Sequence, residues 1–144
     1  MNNIEDNVIE ALKWEIEKED LSCVVLQDEV LHTHVEKGVK PIVDFWSRDY
    51  LNEAIVVDKV IGKASAIFMV AGKVKHAHGL VVSELAIEVF KEAGIEYSAE
   101  KIVPKIINRT GDGLCPMESA VANTDDIKEA IETILEKVMP NNHK

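Results

Sequence analysis

The residues best suited to chemistry lie in one string, 108–118, which reads Asn-Arg-Thr-Gly-Asp-Gly-Leu-Cys-Pro-Met-Glu. Gly111 and Gly113 predict a tight turn whose backbone N–H groups could face an anion. Cys115 precedes Pro116, and proline suits the first turn of a helix. Because a helix N-terminus stabilises a thiolate, Cys115 is a candidate nucleophile. The alternative is a small buried side chain that fixes the turn.

Three polar residues, Asn108, Arg109 and Thr110, come directly before this turn. The guanidinium of Arg109 is always charged and suits phosphates and carboxylates. Together with the glycine amides it predicts a pocket for a small anion, and the alternative is an ordinary surface turn.

A lysine, Lys63, follows Gly62 and opens an otherwise apolar segment, 64–71. The segment is not a phosphate-binding P-loop, because Val57 stands where the first glycine of that motif belongs and Ala64 replaces its Ser or Thr. A cation at a helix N-terminus opposes the helix dipole, so we expect Asp58, Glu84 or a bound anion to compensate it. Lys63 is therefore a second candidate catalytic or ligand-binding residue.

The pair Ser83-Glu84 opens the next predicted helix. A helix cap and a first-turn acid are its simpler interpretation. In α/β sheets, however, ligands bind at the carboxyl ends of the strands, where helices begin, so the pair also belongs to the predicted site. We expect that edge to carry Asp58, Gly62, Lys63, Ser83 and Glu84. The predicted ligand-binding set is Gly62, Lys63, Ser83, Glu84, Asn108, Arg109, Thr110, Gly111, Gly113 and Cys115.

Two histidine pairs, His32-x-His34 and His76-x-His78, each place two imidazoles on one face of a predicted strand. Together they could form a zinc or nickel site if their strands were neighbours. No carboxylate or thiolate stands at a diagnostic spacing, so solvent-facing or core-edge histidines are the favoured interpretation. We predict no bound metal and no cofactor.

Hydrophobic periodicity predicts an α/β fold with a mixed five-stranded sheet and helices on both faces. Two βαβ units, 54–82 and 74–97, should pair their strands in parallel. Predicted strands are 23–27, 30–35, 54–58, 74–82 and one that starts at 95, while 99–107 is ambiguous. Predicted helices are 4–20, 41–50, 63–71, 85–93, 116–122 and 127–138.

Length and composition predict one domain, 1–139, followed by a flexible tail, 140–144. The net charge of −10 argues against nucleic-acid binding, because phosphates would be repelled. The longest apolar run, 64–72, is too short to span a bilayer. The first residues lack the features of a secretory signal, so we expect a cytoplasmic protein with reduced cysteines. Its apolar helices could support a homodimer.

Three strings, 58–64, 82–84 and 108–118, resemble the uncharacterised prokaryotic family known as domain of unknown function 1893. The resemblance runs from about Leu21 to Ile134 and implies a three-layer α/β/α sandwich similar to cytidine deaminases. Zinc deaminases open the two corresponding helices with His/Cys-Ala-Glu and Pro-Cys-x-x-Cys. Here those positions read Lys63-Ala64-Ser65 and 82–86 Val-Ser-Glu-Leu-Ala. The resemblance therefore implies the fold without the zinc chemistry.

The leading functional hypothesis is binding of a small anionic or nucleotide-like ligand at the carboxyl ends of the strands. One alternative is a non-enzymatic regulatory or oligomeric module, in which the same residues only shape turns. The other is a divergent metal-dependent enzyme that uses the histidines.

Overall fold

A computed structural model describes residues 3–36, 38–106, 121, 124 and 126–138. Helices and strands alternate along most of this chain. In order, they are α1 (Asn3–Glu19), β1 (Cys23–Gln27), β2 (Val30–His34), α2 (Lys40–Ser47), β3 (Ile55–Ile61), α3 (Lys63–Ala71), β4 (His76–Ser83), α4 (Glu84–Ala93), β5 (Glu96–Val103) and α5 (Ile127–Val138).

The five strands form one mixed sheet in the order β2-β1-β3-β4-β5. β1 pairs antiparallel with β2 and with β3, while β3, β4 and β5 are mutually parallel. β1 and β2 therefore form a hairpin, and the two predicted parallel βαβ units are confirmed. Because β3, β4 and β5 run the same way, α3 and α4 both begin at one edge of the sheet.

Alternate residues of the strands divide the core into two layers. On one face, Ile9, Leu12 and Ile16 of α1 pack on Val24 and Val57. The opposite face packs against α2, α3, α4 and α5 in a larger cluster whose largest fully buried side chains include Phe68 and Phe90. The predicted three-layer α/β/α sandwich with a mixed five-stranded sheet is thus confirmed.

The largest differences from the sequence prediction concern three element boundaries. β3 continues to Ile61 instead of ending at Asp58, because Val60 and Ile61 still pair with β4. β5 runs through the ambiguous segment to Val103 and stops before Pro104, whose missing N–H ends strand pairing. α2 ends at Ser47 rather than near residue 50.

Several predicted features lie outside the described residues. These are the glycine turn, most of the short helix 116–122, and the tail 140–144. Val121 of that predicted helix is described, and it is helical and fully buried. Within the described ranges, the helices lack the combination of length and apolarity that crossing a membrane requires.

Gly79 of β4 lies at a close approach of core side chains. A Cβ placed there would come within 2.4 Å of Val82 Cγ2 and 3.0 Å of Ile61 Cδ1. We expect Gly79→Ala to lower the free energy of unfolding by roughly 1–3 kcal/mol through overpacking, as measured by urea denaturation. The double variant Gly79→Ala/Val82→Ala should lose less than the two single losses combined, because the second change frees the space. Simple additivity would contradict the proposed clash.

Candidate ligand-binding site

The first four predicted site residues lie at one edge of the sheet. Ile61 of β3 is paired with Val82 of β4, so Gly62-Lys63 and Ser83-Glu84 follow neighbouring parallel strands. Gly62 is the N-cap residue of α3, with an extended backbone. The expectation that these four residues follow the strand ends agrees with this topology. The expectation that Asp58 lies at the same edge is wrong, because β3 continues past it to Ile61.

Ser83 and Glu84 have clear local roles at this edge. The Ser83 hydroxyl is fully buried and accepts a hydrogen bond of 3.1 Å from the Ala86 N–H. Glu84 is exposed in the first turn of α4, where its charge complements the helix dipole. These are the helix cap and first-turn acid that the sequence indicates. Ser83 does not line the cavity described next.

A cavity of about 250 Å³ lies between α3, α4 and the start of α5. Lys63 and Ile67 contribute the wall from α3, and Thr124 and Ile127 contribute the wall near α5. The α4 wall follows two turns of the helix. Its described lining residues are Leu85, Glu88, Val89, Glu92 and Ala93.

The charges around this cavity are unequally buried. Lys63 is only 7% exposed although it carries an ammonium group, whereas Glu88 and Glu92 are exposed. The first turn of α3 contains no acidic residue. The cavity therefore has a buried cation at the start of one helix and two carboxylates along another. A cavity lined by these charges suits a molecule with an anionic end and a hydrogen-bond-donating end.

The remaining predicted site residues lie outside the described residues. They include Cys115, whose role as a nucleophile stays a prediction. The others are Asn108, Arg109, Thr110, Gly111 and Gly113.

A buried acid, Asp58, lies in the middle of the sheet. It faces Cys23 on β1 and Gly79 on β4 in the strand registers. Asp58 Oδ1 accepts a hydrogen bond of 3.3 Å from the Val60 N–H, while Oδ2 has no hydrogen-bond partner among the described residues. Burial raises the pKa of Asp58 to about 7, and hydrogen bonds from Val60, Cys23 and Lys59 only partly offset this.

Burial also raises the pKa of the Cys23 thiol well above its ordinary value, and the neighbouring Asp58 adds to the effect. Cys23 is fully buried. Both effects keep the thiol protonated, which makes it unreactive. Cys23 therefore belongs to the hydrophobic core.

A network of polar side chains occupies the α1 face of β4 and β5. Ser98 Oγ lies 2.6 Å from His78 Nδ1 and 2.8 Å from His76 Nε2. His78 Nε2 lies 3.1 Å from Glu100 Oε2. The same oxygen forms a 2.7 Å ion pair with Lys13 Nζ. The Lys13 ammonium holds the pKa of Glu100 below its ordinary value, and His78 acts in the same direction.

The histidines of β2 have different surroundings. His32 stacks on Tyr50 with ring centroids 3.7 Å apart, and His34 lies edge-on to Phe45 and 3.6 Å from Asp44. β1 and β3 separate β2 from β4, so the two histidine pairs do not meet. In the described ranges, no group of three or more His, Cys, Asp or Glu side chains has the arrangement of a metal site.

The sequence prediction missed Ser98, Glu100 and Lys13. A usable signal existed, since Glu96, Ser98 and Glu100 alternate along β5 as His76 and His78 do along β4. Because the sequence leaves 99–107 ambiguous, however, it does not predict that this alternation lies on a strand. The parallel register that sets His78 beside Ser98 follows only from the folded sheet.

Comparison with known proteins gives two findings. The family model described as a domain of unknown function (DUF1893), named TM1506, matches residues 11–138. The chain is also similar to the crystal structure of a DUF1893 family protein (TM1506) from Thermotoga maritima. That structure is 31% identical, with a TM-score of 0.84, and the match covers 91% of this chain and 90% of that one. None of the curated proteins compared with the chain matches it. The further likeness to cytidine deaminases stays a prediction.

Proposed function

The chain belongs to the DUF1893 family, a domain of unknown function, and we propose that it binds a small anionic or nucleotide-like ligand in the cavity beside Lys63. The observation that carries this proposal is the buried ammonium group in the cavity wall at the start of α3. An anion there would interact favourably with the lysine and with the positive end of the helix dipole together.

The two carboxylates narrow the class of ligand. Glu88 and Glu92 stand one turn apart on α4 and line the same cavity as Lys63. They repel a simple anion but accept hydrogen bonds from hydroxyl or amino groups. A phosphate or carboxylate attached to a sugar or nucleoside suits both sides of the cavity: its anionic group faces Lys63, and its hydroxyl or amino groups donate to Glu88 and Glu92. Inorganic phosphate alone should therefore bind more weakly than a nucleotide or a phosphosugar.

The cavity volume also favours a small ligand. Small-molecule sites commonly enclose about 300–1,000 Å³, and the 250 Å³ found here lies just below that range. A mononucleotide or a sugar phosphate suits this space better than a dinucleotide. In this proposal, Arg109, Thr110 and the glycine amides add further contacts to the anion, and Cys115 is either a nucleophile or a wall of the pocket.

A thermal-shift screen tests the proposal with AMP, ribose 5-phosphate, citrate and inorganic phosphate as probes. A ligand at a hundredfold excess over its Kd stabilises the folded protein by about 2.7 kcal/mol, which raises Tm by roughly 5–10 °C for a chain of this size. Lys63→Met should weaken binding by roughly 10- to 100-fold, the value of one charge-assisted hydrogen bond. Lys101→Met is the matched control, because Lys101 is an exposed lysine on β5. This variant should keep the ligand-induced rise in Tm.

The result could instead favour a regulatory or oligomeric module. The edge strand β2 exposes Val30 and Leu31, and Val35 beyond it is 65% exposed. Absence of stabilisation by all four probes, together with an unchanged response in Lys63→Met, would favour that alternative. A metal-dependent enzyme lacks comparable support, because the two histidine pairs lie on strands that are not neighbours.

A further inference from the structure

A second cluster of potentially reactive side chains is the polar network on the α1 face of the sheet. It lies on the opposite face from the cavity. His76 and His78 are 2% and 9% exposed, while Ser98 between them is partly buried. In the parallel register of β4 and β5, His78 stands beside Ser98. The two strands therefore bring a hydroxyl, two imidazoles and a carboxylate together on one face of the sheet.

The hydrogen bonds of the network have one consistent direction. Lys13 keeps Glu100 ionised, so Glu100 can only accept, and His78 Nε2 must carry the proton that it donates. A neutral His78 then has its lone pair on Nδ1, which accepts the hydroxyl proton of Ser98. Ser98 Oγ in turn accepts from the N–H at His76 Nε2. This assignment satisfies each of these short contacts.

We propose that Ser98 is a nucleophile activated by His78 and Glu100, and that this face accepts the acyl group of small neutral or cationic carboxylic esters. A hydroxyl bonded to an imidazole that a carboxylate orients is the arrangement of covalent acyl transfer, whichever imidazole nitrogen faces the hydroxyl. The two sites lie on opposite faces of the sheet, so this proposal does not depend on the ligand cavity.

The reaction that this geometry supports has two steps. Ser98 Oγ attacks the ester carbonyl carbon, and its proton passes to His78 Nδ1. The C–O bond to the alcohol breaks, and the alcohol leaves with that proton. Water then attacks the acyl-serine carbonyl, gives a proton to His78, and releases the carboxylic acid as the proton returns to Ser98. Atoms and charge balance without any further reactant.

The surroundings indicate how a substrate would approach. α1 packs on β1 and β3 through Ile9, Leu12 and Ile16, and its Lys13 reaches over to Glu100 on β5. The two imidazoles are nearly buried, so a substrate would have to approach from the side of the partly buried Ser98 and the exposed Glu100. The Glu100 and Glu96 side chains are 37% and 69% exposed. Their charges disfavour an anionic ester, which is why the proposed substrates are neutral or cationic.

A fluorophosphonate probe, detected by intact-mass measurement and peptide mapping, tests this proposal on the full chain. We expect one adduct on Ser98 in the native protein and none after urea denaturation. Ser98→Ala should abolish the adduct, and His78→Gln should slow labelling at least about 100-fold, the usual contribution of a general base. Glu100→Gln should slow labelling without removing the nucleophile.

The exposed hydroxyl of Ser47 provides the matched control, and Ser47→Ala should label at the wild-type rate. Thermal melts check that each variant is folded, and the slowing in folded Glu100→Gln serves as an independent readout should Ser98→Ala unfold. Wild-type protein that gives no native-state adduct, or an adduct that maps to another residue, overturns the proposal. Neither result bears on ligand binding at Lys63.

Discussion

Asp58→Asn is expected to make the protein more stable above pH 7 and to flatten its stability profile between pH 4 and pH 7. Asp58 is 5% exposed, and its Oδ2 has no hydrogen-bond partner among the described residues. Ionising this carboxyl in the folded protein is therefore costly, and an amide of nearly the same shape avoids that cost.

The sign of the effect follows from the raised pKa. Burial raises the pKa of Asp58 from 3.8 to about 7, so the folded state holds its proton over a pH range in which the unfolded state has lost it. The stabilisation from this protonated carboxyl is complete below pH 4, decreases as the pH rises, and is gone above pH 7. Its full size is on the order of 4 kcal/mol, since each pKa unit corresponds to 1.36 kcal/mol.

Urea denaturation at pH 4, 5.5, 7 and 8 measures this profile. Asp28→Asn is the matched control, because Asp28 lies in the exposed turn between β1 and β2. The control should follow the wild-type profile. Asp58→Asn should lose the part of the fall in unfolding free energy between pH 4 and pH 7 that comes from this buried acid. An Asp58→Asn profile parallel to that of the wild type would contradict the raised pKa of this carboxyl.

Phe68→Ala is expected to cost roughly 3–5 kcal/mol of unfolding free energy, the usual loss for a fully buried phenylalanine. Phe68 lies in α3 with no exposed surface, and its ring meets Trp46 edge-on with centroids 5.0 Å apart. A cavity at this position loosens α3 from α2. Because Lys63 begins the same helix, the substitution should also weaken the proposed ligand binding at the cavity.

Chemical denaturation followed by far-UV circular dichroism measures the loss. Val70→Ala is the matched control, because Val70 belongs to the same helix but is only partly buried. The control should cost less than half as much as Phe68→Ala. Equal losses in the two variants would show that α3 is not anchored chiefly through Phe68.

The sequence predicts the elements best where local chemistry decides them. The apolar segment 64–71 predicts a buried α3, and the structure buries Lys63 through Met69. The capping residues of α4 also act locally, since Ser83 accepts a hydrogen bond at the start and Gly94 adopts the left-handed backbone at the end. α5 has the predicted bounds, Ile127–Val138, because its apolar residues recur at helical spacing.

The candidate sites were less predictable, because they depend on contacts between distant segments. That Asp58 is a buried acid follows from its place in the central strand, between β1 and β4. The sequence could identify His76 and His78 as a pair, but only the strand register places Ser98 between them. The cavity needs the packing of α3, α4 and the start of α5, so Glu88 and Glu92 had no sequence signal that linked them to Lys63.

Calorimetric titration of AMP and of adenosine into wild-type and Lys63→Met protein tests whether Lys63 binds the phosphate of a nucleotide. The two probes share their nucleoside and differ only in the phosphate that Lys63 is proposed to bind. We expect AMP to bind the wild type at least about tenfold more tightly than adenosine, and Lys63→Met to remove most of this difference. An equal preference for AMP in both proteins, or no heat of binding from either probe, would contradict it.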